Sequence, residues 1–414
     1  MIRVPTTAIE RERGGGTMTD VIDRGVLRRF DICQKVGRGA YGVVWKAVQR
    51  KGGNGVVGDD GDAAVVVVAL KKCFEAFRCD VDARRTYREV MYLRALASDG
   101  VGHPNIIKLH DVIRADNDRD LYMTFDYSET DLSRVIKARI LEPVQIQYIT
   151  YQLLRALKFV HSAELLHRDV KPSNILVDSN CFIKLCDFGL CRSISSVGHP
   201  EDIEYTDYVA TRWYRSPEVL MGSRRYNGGI DLWSVGCIIG EMFRCRPLMP
   251  GSSTNAQLEM IFELTGNPTS DDVESWQSPY ARAILRDVRA KCRVSLDELC
   301  RDRLPGDARS LMKCLFNLDP SKRGTPTTAL EHRYLADFHD PRREVVYPHG
   351  PIGIGISDCT KLTADEYRRR LYGIIAGERG ESESTSVHSR SDGMNVVPPT
   401  VSFDSMEAND ISRE

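Results

Sequence analysis

At 414 residues, with a formal net charge of -1 and 28% of residues charged, the chain is long enough for one large or two medium domains around a real apolar core. That balance excludes a global basic field of the kind that draws proteins onto nucleic acid or anionic membranes, so neither is expected as a partner. The 12 cysteines are scattered singly, without zinc-ribbon spacing, and no secretory apolar segment follows Met1, so reduced thiols in the cytosol or nucleus are expected.

Residues 1–25, with Gly14-Gly15-Gly16, lack hydrophobic periodicity and read as a disordered arm, order beginning near Val26. From Phe30 to Val48, β-type segments flank Gly37-Arg38-Gly39-Ala40-Tyr41-Gly42-Val43-Val44, a G-x-G-x-x-G-x-V pattern. Glycines let backbone N–H groups approach phosphate oxygens that a Cβ would obstruct. Alone, three spaced glycines are more often a plain turn. A dinucleotide fold opens a helix after its glycines, whereas Val43-Val44-Trp45-Lys46-Ala47-Val48 has strand propensity, which disfavours NAD binding.

Residues 51–63, rich in Gly and Asp, read as an exposed insertion in a β-hairpin, because their acids lack EF-hand spacing. The longest apolar run, residues 63–70, is far too short to span a bilayer and reads as a buried strand. Ile2 excludes N-myristoylation and the C-terminus carries no prenylation cysteine, so no membrane anchor is expected. The strand closes on Val68-Ala69-Leu70-Lys71-Lys72. A lysine there is usually a solvated strand end; downstream of a glycine loop, Lys71 becomes a phosphate-binding candidate. A helical stripe follows over residues 82–96, and Glu89 within it is placed to pair with Lys71.

More strands run to Tyr127, and a polar linker at residues 128–131 marks a boundary between two lobes. Ile146, Ile149, Leu153, Leu157 and Val160 then make a buried helical stripe that delivers the chain to His167-Arg168-Asp169-Val170-Lys171-Pro172-Ser173-Asn174. Strand-like pieces at 175–177 and 182–185 lead to Asp187-Phe188-Gly189. Helices are expected over 229–243, 255–264 and 307–316, without internal repeats.

Moving a phosphoryl group to a hydroxyl demands charge neutralisation, in-line positioning and an acceptor for the hydroxyl proton. Asp169 can orient and deprotonate the acceptor, Lys171 can sit beside the transferring phosphate, and Asn174 and Asp187 can hold magnesium through oxygen. Each alone has a duller reading as a turn or cap residue. Jointly, the glycine loop, Lys71, Glu89, H-R-D-x-K-x-x-N and D-F-G occur in the order found in protein kinases.

Over roughly residues 30 to 340 the sequence therefore resembles the protein kinase superfamily. The resemblance implies an α+β bilobal eukaryotic protein kinase fold, a β-rich N-lobe at 26–128 with the insertion 51–63 and a helical C-lobe at 129–340; composition adds an extension at 341–376 and a disordered Ser-rich tail at 377–414. ATP would lie between the lobes on Val36, Gly37, Gly39, Gly42, Val44, Ala69, Lys71, Phe125, Asp126 and Leu176, with Phe125 as gatekeeper and residues 126–128 as hinge. Mg2+ would sit on Asn174 and Asp187, and the catalytic set would be Asp169, Lys171, Lys71 and Glu89. His167 would pack beneath Phe188.

Lys171, two residues past Asp169, matches serine/threonine kinases, and Thr206-Asp207-Tyr208 ahead of Val209-Ala210-Thr211-Arg212-Trp213-Tyr214-Arg215-Ser216-Pro217-Glu218 resembles the activation segment of mitogen-activated protein kinases. Ser216 stands where the superfamily usually has Ala. By resemblance Thr206 and Tyr208 are phosphoacceptors; Arg88, Arg168 and Arg192 would gather on the first, Arg212 and Arg215 on the second. Phe74-Glu75-Ala76-Phe77-Arg78, Asp111-Val112-Ile113-Arg114-Ala115, Lys184-Leu185-Cys186 and Arg246-Pro247-Leu248 resemble the atypical extracellular-signal-regulated kinase branch of MAP kinase fifteen type. That branch phosphorylates its own activation loop, which implies self-activation; the resemblance of the Arg212 to Arg215 region to proline-directed kinases implies protein substrates with Ser/Thr-Pro sites, and a monomer in the cytoplasm, extending to the nucleus or the basal body and cilium, is expected.

Conventional members carry an acidic docking patch in a D-P-x-D-E context, whereas here Asp340-Pro341 precedes Arg342-Arg343-Glu344, so recruitment of basic docking peptides should be weakened. A cyclin-dependent-like kinase is the nearest rival reading, but it would carry a cyclin-reading helix and a single loop threonine. A pseudokinase scaffold would lose a chemical position; Lys71, Glu89, Asp169, Asn174 and Asp187 are all present.

Thr363-Ala364-Asp365-Glu366 is a capping box, with Leu362 and Tyr367 as a hydrophobic staple. The helix it starts shows Tyr367, Leu371, Ile374 and Ile375 on one face, expected to dock on the core, with partner binding as the alternative. Beyond Gly377 the chain is Ser-rich and acidic and reads as disordered. Cys186 reads as a buried thiol, facing the nucleotide pocket being the alternative.

Overall fold

The computed structural model describes residues 21–39, 42–50, 65–194, 211–223, 225–301, 303–357 and 360–387. Most of the expected arm, the insertion 51–63, Thr206, Tyr208 and most of the tail lie outside these residues. Two compact units divide at Leu371/Tyr372; everything below concerns the first, apart from the end of the last helix.

A short helix α1 (Arg24–Leu27) precedes a five-stranded antiparallel sheet of order β1-β2-β3-β5-β4, built from β1 (Phe30–Gly39), β2 (Gly42–Gln49), β3 (Val67–Cys73), β4 (Leu109–Arg114) and β5 (Leu121–Asp126). In β2 the period-two pattern of the sequence is realised directly: Val43, Trp45 and Ala47 are buried and their neighbours half-buried. One face of the sheet closes a core of Val26, Phe30, Ala47, Val68, Leu70, Ile113, Ala115 and Tyr122. Helix α2 (Asp80–Ala95) is the helix of this lobe that carries Glu89.

Two expectations are corrected here. Order does not wait for Val26: the Asp23 carboxylate accepts from the Tyr122 hydroxyl at 2.9 Å and from the Asp116 amide at 2.6 Å, and the buried Lys72 ammonium donates to the Val21 carbonyl at 2.9 Å. Buried polar groups need partners, and the segment ahead of α1 supplies them. Nor is the apolar run at 63–70 a wholly buried strand. Val65, Val66 and Val67 are exposed and only Val68 and Leu70 face the core, because pairing with β2 begins at Val67 and an antiparallel sheet presents alternate residues to each side.

The second lobe opens with β6 (Thr130–Asp131) and helix α3 (Leu132–Ala138), whose first turn is capped by the Asp131 carboxylate accepting from the Arg134 amide at 3.0 Å. Helix α4 (Pro143–Ser162) starts on a Glu142/Gln145 capping box with Pro143 in the first turn, and its expected stripe, Ile146, Ile149, Leu153, Leu157 and Val160, is buried. Three small pairings follow: β7 (Leu165–Leu166) with β10 (Arg192–Ser193), and β8 (Ile175–Val177) between β6 and β9 (Ile183–Leu185). After α5 (Pro217–Leu220), helix α6 (Gly229–Arg244) runs through the middle of the lobe and is buried on almost every face. A Cβ on Gly236 would stand 2.9 Å from the Phe316 ring, so close helix approach excludes a larger residue there.

Helices Thr254–Thr265 and Gly306–Leu315 match the sequence expectation within a residue or two. Among the described residues no helix is long and apolar enough to cross a membrane. The last helix spans Ala364–Val387, eleven residues past the boundary expected at 376/377. Once a helix is nucleated each further residue adds a backbone hydrogen bond, and no proline interrupts residues 377–387. The expected capping box is present, Thr363 and Glu366 each accepting the other's amide at 3.3 and 2.8 Å.

Candidate active site

Lys71 sits in mid-β3, opposite Val44 of β2 and Met123 of β5, which aims its side chain beneath the glycine hairpin. Its ammonium donates to both carboxylate oxygens of Glu89, at 2.8 and 3.1 Å. Burial pushes the Lys71 pKa down, but Glu89, with Cys73 and Asp187, more than reverses this, so Lys71 stays a cation. That pair fixes the inward position of α2.

The catalytic loop is hung from one buried acid. Asp231, at the start of α6, accepts from the backbone amides of His167 at 3.0 Å and Arg168 at 2.8 Å, and from the His161 ring at 2.8 Å. Burial pushes its carboxyl up, but these donors hold it below the ordinary range. Asp231 was not expected from sequence; an acid in the first turn of a mainly apolar helix was the available signal. His167 packs edge-on to Phe188 at 4.8 Å between ring centres, as expected.

Within the loop, the Asp169 carboxylate accepts from Lys171 at 2.7 Å and from the Asn174 amide at 2.9 Å; Asn174 also donates to the Asp169 carbonyl. Burial raises the Asp169 carboxyl above its usual range, with Lys171 opposing. Arg168 and Asp187 both adopt φ of 67°, a left-handed conformation that costs non-glycine residues about 1–2 kcal/mol.

Two cavities share this machinery. The first, about 310 Å³, is lined by Val36, Gly37, Val44, Ala69, Lys71, Phe125, Asp126, Leu176 and Asp187 among the expected residues, and by Asn174. Ile107, Asp131 and Arg134 line it too and were not expected; Asp131 had the signature of a helix N-cap, which sequence alone reads as structural. The second, about 460 Å³, shares Lys71, Glu89 and Asp187 and adds Asp169 and Lys171. Of the loop glycines, Gly39 has open space where its Cβ would be, whereas a Cβ on Gly42 would fall 2.2 Å from the Lys72 carbonyl. Gly39 and Gly42 line neither cavity, and Gly42 is required by the close approach of β2 to β3, where it pairs with Cys73.

Asn174 uses its amide nitrogen on Asp169, which leaves its carbonyl oxygen to pair with Asp187 as oxygen ligands. No cluster of three or more metal-ligating side chains occurs among the described residues. A two-oxygen set suits Mg2+, which keeps waters and substrate phosphates in its shell. Cys186 does line the first cavity, but its thiol donates to the main-chain carbonyl of Asn174 at 3.3 Å and burial raises its pKa well above the ordinary value, so it stays protonated.

Residues 30–335 match the Protein kinase domain family. The chain belongs to that family. The kinase is 46% identical over 364 residues to extracellular signal-regulated kinase 2 of Dictyostelium discoideum, covering 87% of this chain and 93% of that protein. It is 43% identical over 384 residues to mitogen-activated protein kinase 15 of Xenopus laevis, covering 90% of this chain and 62% of that one. Extracellular signal-regulated kinase 7 of Drosophila melanogaster is 42% identical over 370 residues, with 88% of this chain and 38% of that protein covered. The kinase thus spans nearly all of one relative and under two thirds of the others, and it is a member of the atypical branch of the MAP kinases.

The phosphate-sensing arginines expected from sequence fall in three places. Arg88 on α2 and Arg192 on β10 are buried, and β10 pairs with β7 so that Arg192 lies opposite Leu166, beside the catalytic loop. The Arg168 guanidinium lies over the Tyr226 ring at 5.4 Å and donates to the Leu190 carbonyl at 3.4 Å. Arg212 donates to the Ser252 carbonyl at 3.1 Å, while Arg215 lines a small cavity with Asp169, Thr211 and Ser216.

Proposed function

We propose that the kinase transfers the γ-phosphate of ATP to Ser or Thr followed by Pro in protein substrates, and that it becomes active by phosphorylating its own Thr206 and Tyr208. The observation carrying the first part is convergence: Lys71 held by Glu89, Asp169 held by Lys171 and Asn174, and Asp187 all face two adjoining cavities.

The triphosphate is read as lying along Lys71, whose charge Glu89 keeps in place. Asp169, buried and raised in pKa, orients the acceptor hydroxyl and takes its proton as the bond to phosphorus forms. Lys171 neutralises charge building on the transferring group. Mg2+ held by Asn174 and Asp187 would supply further neutralisation of the phosphates. Arg88, Arg168 and Arg192 are assigned to phospho-Thr206, and Arg212 with Arg215 to phospho-Tyr208. The docking patch is read as weak: Asp340 is flanked by Arg342 at 3.2 Å and Arg343 at 3.5 Å, and Glu344 is buried on His339 and Lys158.

A peptide-array assay with ATP and magnesium tests the reading. Preference for Pro after the acceptor is expected; indifference to Pro would remove the proline-directed assignment, and no transfer would leave a scaffold. Produced in bacteria, the kinase should carry phosphate on Thr206 and Tyr208 and its Lys71→Arg variant on neither, phosphate on the variant excluding self-activation.

A further inference from the structure

The Asp126 carboxylate is divided between two elements that belong to different lobes. One oxygen meets the His110 ring nitrogen of β4 at 2.8 Å, and the other accepts from the Lys184 ammonium of β9 at 2.8 Å. All three side chains are about a quarter to a third exposed. Lys184 is itself held, donating to the Pro104 carbonyl at 3.4 Å and lying over the Phe182 ring at 6.0 Å. His110 and Lys184 overcome the upward push of burial and hold the Asp126 carboxyl at about 2. The carboxylate is therefore ionised throughout the working pH range, and its charge is spent on the two lobes rather than on the cavity.

Asp126 ends β5, and it and the following two residues line the cavity assigned to the nucleotide. A ligand pocket of this kind fixes orientation through a few well-placed polar groups, main-chain ones included, on an otherwise apolar wall. The main chain at Asp126 is anchored on one side by β3, where it pairs with Val68, and on the other by its amide donating to the Lys108 carbonyl at 3.4 Å, and its side chain adds the two contacts to His110 and Lys184. Lys184 is the one of these anchors that comes from the second lobe.

We infer that Lys184 is a positioning residue for nucleotide binding: by clasping Asp126 from the second lobe, with His110 completing the clasp from the first, it sets the place of the main chain at residues 126–128 against the adenine. The inference rests on the proposed ATP site and adds a determinant of its affinity. A partly exposed pair contributes up to about 1 kcal/mol, so its loss should weaken binding by roughly threefold to fivefold.

The test compares the wild-type kinase with Lys184→Met and Lys184→Arg. In Lys184→Met, KM for ATP should rise about threefold to fivefold with kcat changed less than twofold, and Lys184→Arg should restore most of the difference. Hydrogen exchange of the amides at 126–128 should speed up in Lys184→Met, a readout that does not depend on catalysis. Unchanged KM together with unchanged exchange would overturn the clasp, as would an equal fall in kcat and kcat/KM at constant KM. If the wild type transfers no phosphate from ATP, the proposed activity fails, and exchange at 126–128 still decides whether Lys184 holds the main chain.

Discussion

The hydroxyl of Tyr87 donates to the carbonyl of Ile354 at 3.2 Å, tying α2 to the C-terminal extension two positions before Glu89. The same extension reaches α2 at both ends. Its Tyr347 hydroxyl donates to the Ala95 carbonyl at 3.2 Å, and its Ala364 amide donates to the Asp80 carboxylate at 2.7 Å. Tyr367 packs on Tyr87 with ring centres 5.5 Å apart. The extension is anchored in turn to the end of α4, through the Tyr347 amide on Ser162 and the Ile352 amide on the Ala163 carbonyl.

If the extension holds α2 so that Glu89 meets Lys71, losing the Tyr87 contact should be read in catalysis. Tyr87→Phe keeps the ring and loses one hydrogen bond, costing about 1 kcal/mol of stability with little change in kcat. Tyr87→Ala also loses the Tyr367 contact and should lower kcat by about tenfold or more through misplacement of Glu89. Unchanged kcat in Tyr87→Ala, measured on folded protein by steady-state assay, would show that α2 needs no such support.

Asp169 should set the acid limb of the pH profile. Burial raises its carboxyl, so the ionised base is lost at a higher pH than for an ordinary aspartate near 3.9. Lys171 opposes that rise, so Lys171→Met should move the limb further up as well as lower the maximal rate. Because the folded pKa lies above the unfolded one, the charged form is disfavoured in the fold, and acidification through that window relieves the strain locally. A kcat/KM profile with its acid limb at or below pH 4 would contradict the assignment.

Ser216 is buried and its hydroxyl has no partner among the described residues. Removing an unsatisfied buried hydroxyl should be neutral or stabilising, by up to about 1 kcal/mol. Urea unfolding of Ser216→Ala measures this directly. A loss of more than that would mean the hydroxyl is bonded in solution.

Deep in the second lobe, Arg323 meets Glu218 in a fully buried two-pronged pair at 2.5 and 2.7 Å. Glu218 lies in α5, next to the segment that carries Arg215 and Ser216. Removing one partner should cost about 3–5 kcal/mol, because it strands the other charge without water. Denaturation of Arg323→Ala and Glu218→Ala should show similar losses, and the double variant should lose less than their sum.

Local chemistry made much of this kinase legible in the sequence. The alternation in β2, the stripe of α4 and the capping boxes at Glu142 and Thr363 each follow from neighbours a few residues apart, and the structure realises them. Lys71, Glu89, Asp169, Asn174 and Asp187 were readable because phosphoryl transfer uses groups of those types and their order along the chain resembles that of protein kinases, and the fold brings them to one cleft. The reach of the last helix past Gly377 and the exposed start of β3 were not readable, since composition says little about where pairing begins or a helix stops.

What the sequence determined by itself was the family and a set of candidate reacting groups, because these rest on short motifs whose chemistry is local. Tertiary structure alone decided what holds them: Asp231 under the catalytic loop, Lys184 and His110 on Asp126, and Ile354 on Tyr87. Each of those partners is an ordinary residue in its own stretch of chain. Its role comes from burial and from a charge or hydrogen bond closed between separate elements, 16 residues apart for His110 and Asp126 and 267 for Tyr87 and Ile354, and the strength of such a contact depends on distance and desolvation that only the folded chain sets.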